Sequence, residues 1–414
     1  MPSPLLSHSR RLLSSHSLAL TSISRSISRN STGRNQQTLA SSVTRSGTAL
    51  HSGNFTTVRL IPAAAGEGRY FVVRNLHSRK GTRIPASIDH VVNSALCTTL
   101  CRDGVRVRTV EHLLSALEAC GVDNCRIEID GGEEFSFTGL WLRTGQIRRK
   151  SNAKIVSGGI VELISTKSKF LKRIVIDWFT NKQVPLLDGS AKQWVEAIKE
   201  AGLYVANDHN GCSLEKLVPK LHEPLYLCHR NSFLIAFPSP NIHITYGIDF
   251  SKVLFAFISL VYFDFQLSLI PAIATQWFSS FVDESIYCEE IASARTFCIY
   301  EEVEGMRQAG LIKGGSVDNA IVCSLRWLLF SDFLFFKYHC YFSATAGWLN
   351  PPLRFSNEPC RHKVLDLVGD VSLFAQNGNQ GLPIAHIIAY KAGHALHADF
   401  VRLLSRSSTA QVKD

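Results

Sequence analysis

The sequence predicts a fold of mixed helices and strands, and three observations carry that prediction. Apolar residues recur at helical spacing over residues 109–121 and again over 361–371. Short runs at 56–61, 70–74 and 125–129 have the β-branched and aromatic character of strands. The chain of 414 residues is 45% apolar, which is long enough for two domains and apolar enough to build real cores. Nothing in that composition suggests a disordered chain.

Residues 1–36 differ in kind from the rest of the chain. They hold five Arg, no Lys, eleven Ser and no acidic residue, and the first carboxylate of the chain is Glu67. An Arg-rich, Ser-rich, acid-poor start is the composition of an organelle transit peptide, and it lacks the continuous apolar run of a secretory signal. Import into the mitochondrion, with the matrix as destination, is the expectation, with a plastid as second choice. The net charge of +10 fits this view: residues 1–35 contribute +5 and residues 140–182 contribute +8, which leaves the rest of the chain at −3. The body is therefore not basic, and its charge gives no reason to expect a nucleic-acid partner.

From Gln37 the chain becomes orderly. Residues 56–61 and 70–74 read as strands around the turn-rich segment 62–66, with 46–53 as a small-residue loop ahead of them. The glycines of that loop would let backbone approach a ligand closely, and a plain turn explains them as well. In 109–121, Thr109 suits the N-cap, Val110, Leu113, Leu114 and Leu117 make one apolar face, and Gly121 suits the stop. Glu111 and His112 then fall in the first turn, where a metal ligand and a general base could stand together. Residues 125–129 read as the next strand.

The stretch 361–370 is the anchor for function. His362 and Asp366 are four apart, one helical turn on the same face, while Val364, Leu367, Val368 and Val371 form the apolar stripe. An imidazole and a carboxylate so spaced can reach one metal ion, and Asp370, a turn further, could orient a third polar group. Ordinary surface charge on an amphipathic helix explains an isolated H-x3-D equally well. What favours a site is company: Glu111 and His112 at one helix start, and Lys391-Ala-Gly-His394 after an apolar run. Eleven cysteines, none spaced C-x-x-C, read as free and mostly buried thiols in a reducing compartment. Cys97 with Cys101, and Cys120 with Cys125, lack a second pair at finger-like spacing.

Taken together, Thr109-Val-Glu-His112, Ala294-Arg-Thr-Phe297, Arg361-His-Lys-Val-Leu-Asp366 and Lys391-Ala-Gly-His-Ala-Leu396 resemble the zinc-dependent UDP-3-O-acyl-N-acetylglucosamine deacetylases of lipid A biosynthesis. Leu50-His-Ser-Gly53, Ala95-Leu-Cys97, Asp188-Gly-Ser-Ala191 and Gly314-Gly-Ser-Val-Asp-Asn-Ala-Ile-Val322 are similar to further landmarks, in the same order. The resemblance runs from about residue 37 to 404, and the transit-like start makes the chain look like a plant mitochondrial member. It implies an α+β fold of two similar domains, each a β-sheet layer packed on a pair of helices, with the active site between them. Domain one would span 37–206 and domain two 213–404, with 405–414 as a tail. It implies hydrolysis of the N-acetyl group of UDP-3-O-acyl-N-acetylglucosamine, releasing acetate, as an early step towards lipid A-like glycolipids. A monomer is expected.

The same resemblance implies the site residues. A catalytic zinc site keeps three protein ligands and one open position, and His112, His362 and Asp366 would be the ligands. Glu111 would be the base, His394 the acid, and Asp370 the group that orients His394. Thr296 would donate to the oxyanion, and Lys363 and Phe297 would help bind the nucleotide-sugar. Residues 314–322 would border an apolar passage for the acyl chain. His51, His77, His386 and His397 receive no role.

Three stretches depart from the family pattern: 131–183, 252–269 and 324–345. The last two are rich in Phe and Leu, but the first of them has only about eleven clean apolar residues and the other is broken by Arg326, Asp332, Lys337 and His339. A helical span needs roughly twenty, so no stable membrane span is expected. Each stretch breaks a motif cleanly and lacks a period of its own, so all three read as unspliced or mis-predicted coding sequence. Two other readings stay open: a catalytically impaired isoform of the same family, or a membrane-associated non-enzyme that uses the apolar stretches.

Overall fold

The computed structural model describes residues 26–75, 78–92, 96–131, 134–137, 153–156, 160–163, 178–250, 273–323, 348, 350 and 352–409. The fold is α+β, and its two halves repeat one plan. In the N-terminal half, strands Val43–Thr48 and Phe55–Pro62 form an antiparallel hairpin, as do Arg69–Asn75 and Ser78–Pro85. The fifth strand, Cys125–Gly131, inserts between the hairpins, antiparallel to Phe55–Pro62 and parallel to Arg69–Asn75. In the C-terminal half, Leu225–His229 pairs antiparallel with Ser232–Pro238, and His243–Asp249 with Thr275–Phe281. Ala385–Tyr390 inserts between them with the same directions, antiparallel to Ser232–Pro238 and parallel to His243–Asp249. The expected pair of similar domains is thus visible strand by strand.

The helices repeat as well. Helix α1 (Glu111–Ala119) precedes the inserted strand of the first half, and α2 (Lys192–Ala201) comes after it. Helix α3 (Tyr300–Gln308) lies in the second half before α4 (Glu358–Val371) and α5 (His394–Thr409), which flank the second inserted strand. Helices α1 and α4 therefore hold equivalent places and pack against one another. The sequence shows α1 with one apolar face, yet every residue from Glu111 to Glu118 is buried. Leu113, Leu114 and Leu117 contribute about 1.5–3 kcal/mol each by that burial. Gly369 sits where α4 meets the start of α1: a Cβ there would lie 2.1 Å from the Glu111 carbonyl oxygen. Ser115 donates from Oγ to the Leu365 carbonyl at 2.8 Å and accepts from the Tyr287 hydroxyl at 2.7 Å. Glycine and a small hydroxyl residue thus let two helices from different halves come into backbone contact.

Four expectations are adjusted. Residues 46–48 extend strand Val43–Thr48, paired to 55–57, so the small-residue loop shortens to the turn beyond it. Thr109 does not cap α1: it is left-handed (φ 60°), its hydroxyl is buried without a partner, and the cap position is Val110. A capping residue needs an extended backbone to fold its hydroxyl onto the helix N–H groups. Thr109 instead turns the chain sharply out of strand Val105–Arg108. Within the 1–36 segment, Ile27–Asn35 is a strand paired antiparallel with Glu215–Leu221, so folded structure begins earlier than composition suggests. Arg29 stacks over the Phe374 ring and Ser31 bonds Glu215, uses for Arg and Ser that composition cannot distinguish from a targeting segment.

The fourth adjustment concerns 131–183. Its last residues, Trp178–Gln183, run parallel to Val105–Arg108 in a second sheet of the first half, beside Glu134–Phe137. Residues 252–269 and 324–345 lie outside the described residues. No helix among the described residues is long and apolar enough to cross a membrane. The described cysteines are all free, and burial pushes the thiols of Cys120, Cys125 and Cys360 up to about 12.

Candidate metal centre

The equivalent placing of α1 and α4 brings three ligand-bearing side chains together. His112 comes from the first turn of α1, and His362 and Asp366 come from successive turns of α4. The two Nε2 atoms lie 3.6 and 3.4 Å from Oδ1 of Asp366, and the imidazole rings meet edge to face. All three side chains are buried. An ion with tetrahedral ligands at about 2.0–2.1 Å holds neighbouring ligand atoms roughly 3.3 Å apart, so the two contacts to Oδ1 have the spacing of a metal cage.

The protonation pattern agrees with that fit. Nδ1 of His362 lies 3.0 Å from the Ala294 carbonyl, which can only accept, so Nδ1 carries the proton and Nε2 keeps its lone pair. Burial pushes the His362 imidazole down to about 3, the neutral form a metal requires. Burial alone would raise the Asp366 carboxyl, but the Lys363 ammonium, 2.9 Å from Oδ2, together with His362, His394 and His112 outweighs it and holds the group well below the usual range. Oδ1 is buried and has no hydrogen-bond partner. An unmet buried carboxylate oxygen is costly, and a cation between it and two imidazoles would meet it. The donor set, two imidazole nitrogens and one carboxylate, suits a divalent ion such as Zn2+.

A second cluster borders the first. Glu111, buried, accepts the Thr98 N–H on Oε2 at 3.0 Å, and its Oε1 lies 3.8 Å from Nε2 of His394. Burial raises the Glu111 carboxyl to about 8. His394, the first residue of α5, sets Nδ1 2.8 Å from Oδ2 of Asp370. Burial alone would lower that imidazole, but Asp370 foremost, with Asp366 and Glu111, raises it to about 10. The Thr98 hydroxyl donates to the other oxygen of Asp370. His397 also approaches Oδ2 through Nδ1, at 2.8 Å. Asp370, His394 and His397 also form a metal-capable group, but their contacts at 2.8 Å are hydrogen-bond distances, closer than ligands sharing one ion, so the first trio fits an ion better.

A trio able to hold a metal ion, with a carboxylate and an imidazole beside it, thus lies where helices of the two repeated halves meet. Comparison with known proteins gives the family. The family model described as UDP-3-O-acyl N-acetylglycosamine deacetylase matches residues 36–135 and 171–406. A protein of Arabidopsis thaliana named "Probable UDP-3-O-acyl-N-acetylglucosamine deacetylase 1, mitochondrial" is 46% identical over 380 residues, 92% of this chain and 90% of its own. The UDP-3-O-acyl-N-acetylglucosamine deacetylase of Trichormus variabilis is 36% identical, over 90% of this chain and 99% of its own. That of Thermosynechococcus vestitus is 34% identical, over 90% and 94%. The chain belongs to the UDP-3-O-acyl-N-acetylglucosamine deacetylase family.

Of the remaining residues singled out in the sequence, Lys363 bonds Asp366, and Thr296 and Phe297 follow the Ala294 carbonyl that holds His362. Thr296 lies two residues beyond Ala294, and its N–H donates to the Gly189 carbonyl at 2.7 Å. A Cβ on Gly189 would lie 2.1 Å from the Asn319 carbonyl, so the landmarks at 188–191, 294–297 and 314–322 converge on one spot. Nζ of Lys363 sits 5.6 Å over the Phe297 ring, which meets Phe250 edge-on. A cavity of about 370 Å³ opens beside His394 and Thr98, lined further by Cys97, Ala395, Ala398 and Arg402. His51 bonds the Leu311 carbonyl and Cys97, and His386 stacks on His243 at the opposite sheet surface, away from the metal trio. His77 lies outside the described residues.

Sequence reasoning missed four participants: Thr98, the Ala294 carbonyl, His397 and Tyr246, whose hydroxyl lies 3.0 Å from Nε2 of His397. Thr98 directly follows the landmark at 95–97, and His397 stands three residues from His394 on a helix, so both had a spacing signal. The Ala294 carbonyl is backbone and Tyr246 is an aromatic within a strand, so neither had one.

Proposed function

We propose that this chain is a zinc-dependent amidohydrolase that removes the N-acetyl group of UDP-3-O-acyl-N-acetylglucosamine, releasing acetate and a free amine. The observation that carries the reading is Oδ1 of Asp366, buried, without a hydrogen-bond partner and facing Nε2 of both His112 and His362. Those three residues would hold the ion. When bound, Zn2+ supplies Lewis acidity that acidifies water and polarises the acetyl carbonyl.

This chain's own groups handle the protons. The water oxygen adds to the acetyl carbonyl carbon while Glu111, adjacent to a ligand and short of solvent, accepts the water's proton. Thr296 donates to the developing oxyanion. The C–N bond then breaks, and His394 delivers a proton from Nε2 to the departing nitrogen. Asp370 holds Nδ1 of His394, which leaves Nε2 as the delivering atom. Lys363 and Phe297 hold the nucleotide-sugar, and the region 314–322 borders the path of the acyl chain. The protein acts as a monomer with no nucleic-acid partner. On the same reading it works in the mitochondrial matrix, in keeping with its Arg- and Ser-rich start and the mitochondrial names of its Arabidopsis relatives.

The test is product analysis. Purified protein is incubated with UDP-3-O-acyl-N-acetylglucosamine and, separately, with UDP-N-acetylglucosamine, and the nucleotide-sugars are resolved by mass spectrometry. Loss of acetyl from the acylated substrate, absent with Glu111→Ala, supports the reading. An unchanged acylated substrate in the presence of metal-loaded protein contradicts it.

A further inference from the structure

Asp370 is held more tightly than the orientation of one imidazole requires. Oδ1 is taken by the Thr98 hydroxyl, and Oδ2 by Nδ1 of two histidines, His394 and His397, each at 2.8 Å. His397 is fully buried and lies three residues along α5 from His394, on the same side of the helix. Its remaining nitrogen, Nε2, is 3.0 Å from the Tyr246 hydroxyl. That hydroxyl has one hydrogen, shared between His397 Nε2 and the carbonyl of Ala392, 2.7 Å away in the turn that launches α5. A carboxylate oxygen only accepts, so both imidazoles present a proton at Nδ1.

We infer that His397 is a positioning residue for the reaction: by fixing Oδ2 of Asp370 it holds His394 in the tautomer and orientation that aim Nε2 at Glu111. Without the His397 bond, the Thr98 hydroxyl and His394 itself are left to set the carboxylate, whose terminal torsion is soft. His394 is itself partly exposed at the cavity and cannot anchor the group it depends on. His397, locked between Asp370 and Tyr246 in the core of the second half, can. The chain Tyr246–His397–Asp370–His394 thus ties the proton donor to strand His243–Asp249 in the five-stranded sheet of the second half. The kinetic part of this inference rests on the deacetylase reading; the positional part does not.

Two substitutions separate positioning from simple structural support. His397→Leu fills the space and removes both bonds. His397→Asn also loses the Tyr246 bond but keeps an N–H close to the place of Nδ1, within reach of Asp370. A packing role predicts no more damage from His397→Leu, which fills the space, than from His397→Asn. Positioning predicts that His397→Leu lowers kcat about 10- to 100-fold, in the range typical of groups that orient active residues, with KM little changed. His397→Asn then recovers most of that loss. The second readout needs no turnover: in ¹⁵N-histidine-labelled protein, metal-free and metal-loaded, the proton resonance of His394 Nδ1–H is retained in His397→Asn and lost or strongly shifted in His397→Leu. Should the Leu variant not fold, His397→Gln, whose amide reaches towards Tyr246, takes its place. Equal kcat in the Leu and Asn variants, or an unmoved His394 resonance in the Leu variant, overturns the inference. A wild-type protein that shows the expected resonances yet deacetylates nothing refutes the deacetylase reading and leaves the positioning intact.

Discussion

Gly369→Ala turns a usually favourable change into a damaging one. In an exposed helix interior, alanine in place of glycine gains about 1 kcal/mol. At Gly369 the new Cβ would stand 2.1 Å from the Glu111 carbonyl oxygen, 2.9 Å from its carbon and 3.1 Å from its Cα. Carbon and oxygen atoms tolerate separations of about 3.3 Å at closest, so α1 and α4 must part by more than about 1 Å. All three obstructing atoms are backbone, and no side chain can swing aside. Overpacking of this kind costs about 1–3 kcal/mol, so the net change is a small destabilisation. The larger effect is on the site, because the residue that moves is Glu111 and His112 is its neighbour. A misplacement of about 1 Å is worth roughly 10²-fold in rate. The assay compares zinc content, thermal unfolding and kcat/KM of the purified variant and wild type. Reduced zinc affinity and a kcat/KM lower by about 10²-fold, with Tm little changed, is the expected outcome. A variant with raised Tm and wild-type kcat/KM would refute the claim that helix contact at Gly369 sets the metal centre.

Further substitutions divide the labour among the site residues. His112→Ala and His362→Ala each remove one of three ligands and should emerge from dialysis without zinc, as read by metal analysis. Glu111→Ala should keep its metal and lose about 10²–10⁴-fold in kcat/KM, whereas His394→Ala should keep its metal and flatten the alkaline limb of the pH–rate profile. In metal-free protein, Glu111 carries a folded-state carboxyl raised from 4.5 to about 8 by burial. The native state therefore holds that proton more tightly than the unfolded chain, and the stability it contributes is present at low pH and lost as pH rises from about 4.5 through 8. Metal-free Glu111→Gln, neutral throughout, should consequently show a higher Tm than metal-free wild type at pH 9 and a smaller difference at pH 5.

Much of the site was legible because its parts sit at short, periodic spacings. His362, Asp366 and Asp370 descend α4 turn by turn, and Glu111 with His112 opens a helix ended by Gly121. What brings them together was not legible, because it depends on the repeat of one strand order in both halves, which makes α1 and α4 equivalent partners. The left-handed turn at Thr109 escaped notice for a similar reason. Threonine before an apolar run signals a cap, and only the position of strand Val105–Arg108 forces it into a bend instead. The strand Ile27–Asn35 was hidden by composition, since its Arg and Ser residues serve pairing and stacking contacts with distant parts of the chain. His397 stayed without a role because its partners, Asp370 and Tyr246, lie 27 and 151 residues away.

On the proposed reading, one ion held by His112, His362 and Asp366 confers the deacetylase activity. Stepwise addition of Zn2+ to metal-free protein, with acetate release from UDP-3-O-acyl-N-acetylglucosamine followed at each step, tests it most directly. Activity should rise linearly and break at one equivalent per chain, and His362→Ala should show neither the rise nor the break. Undiminished activity in the metal-free protein, or a His362→Ala titration that superimposes on wild type, would contradict the account.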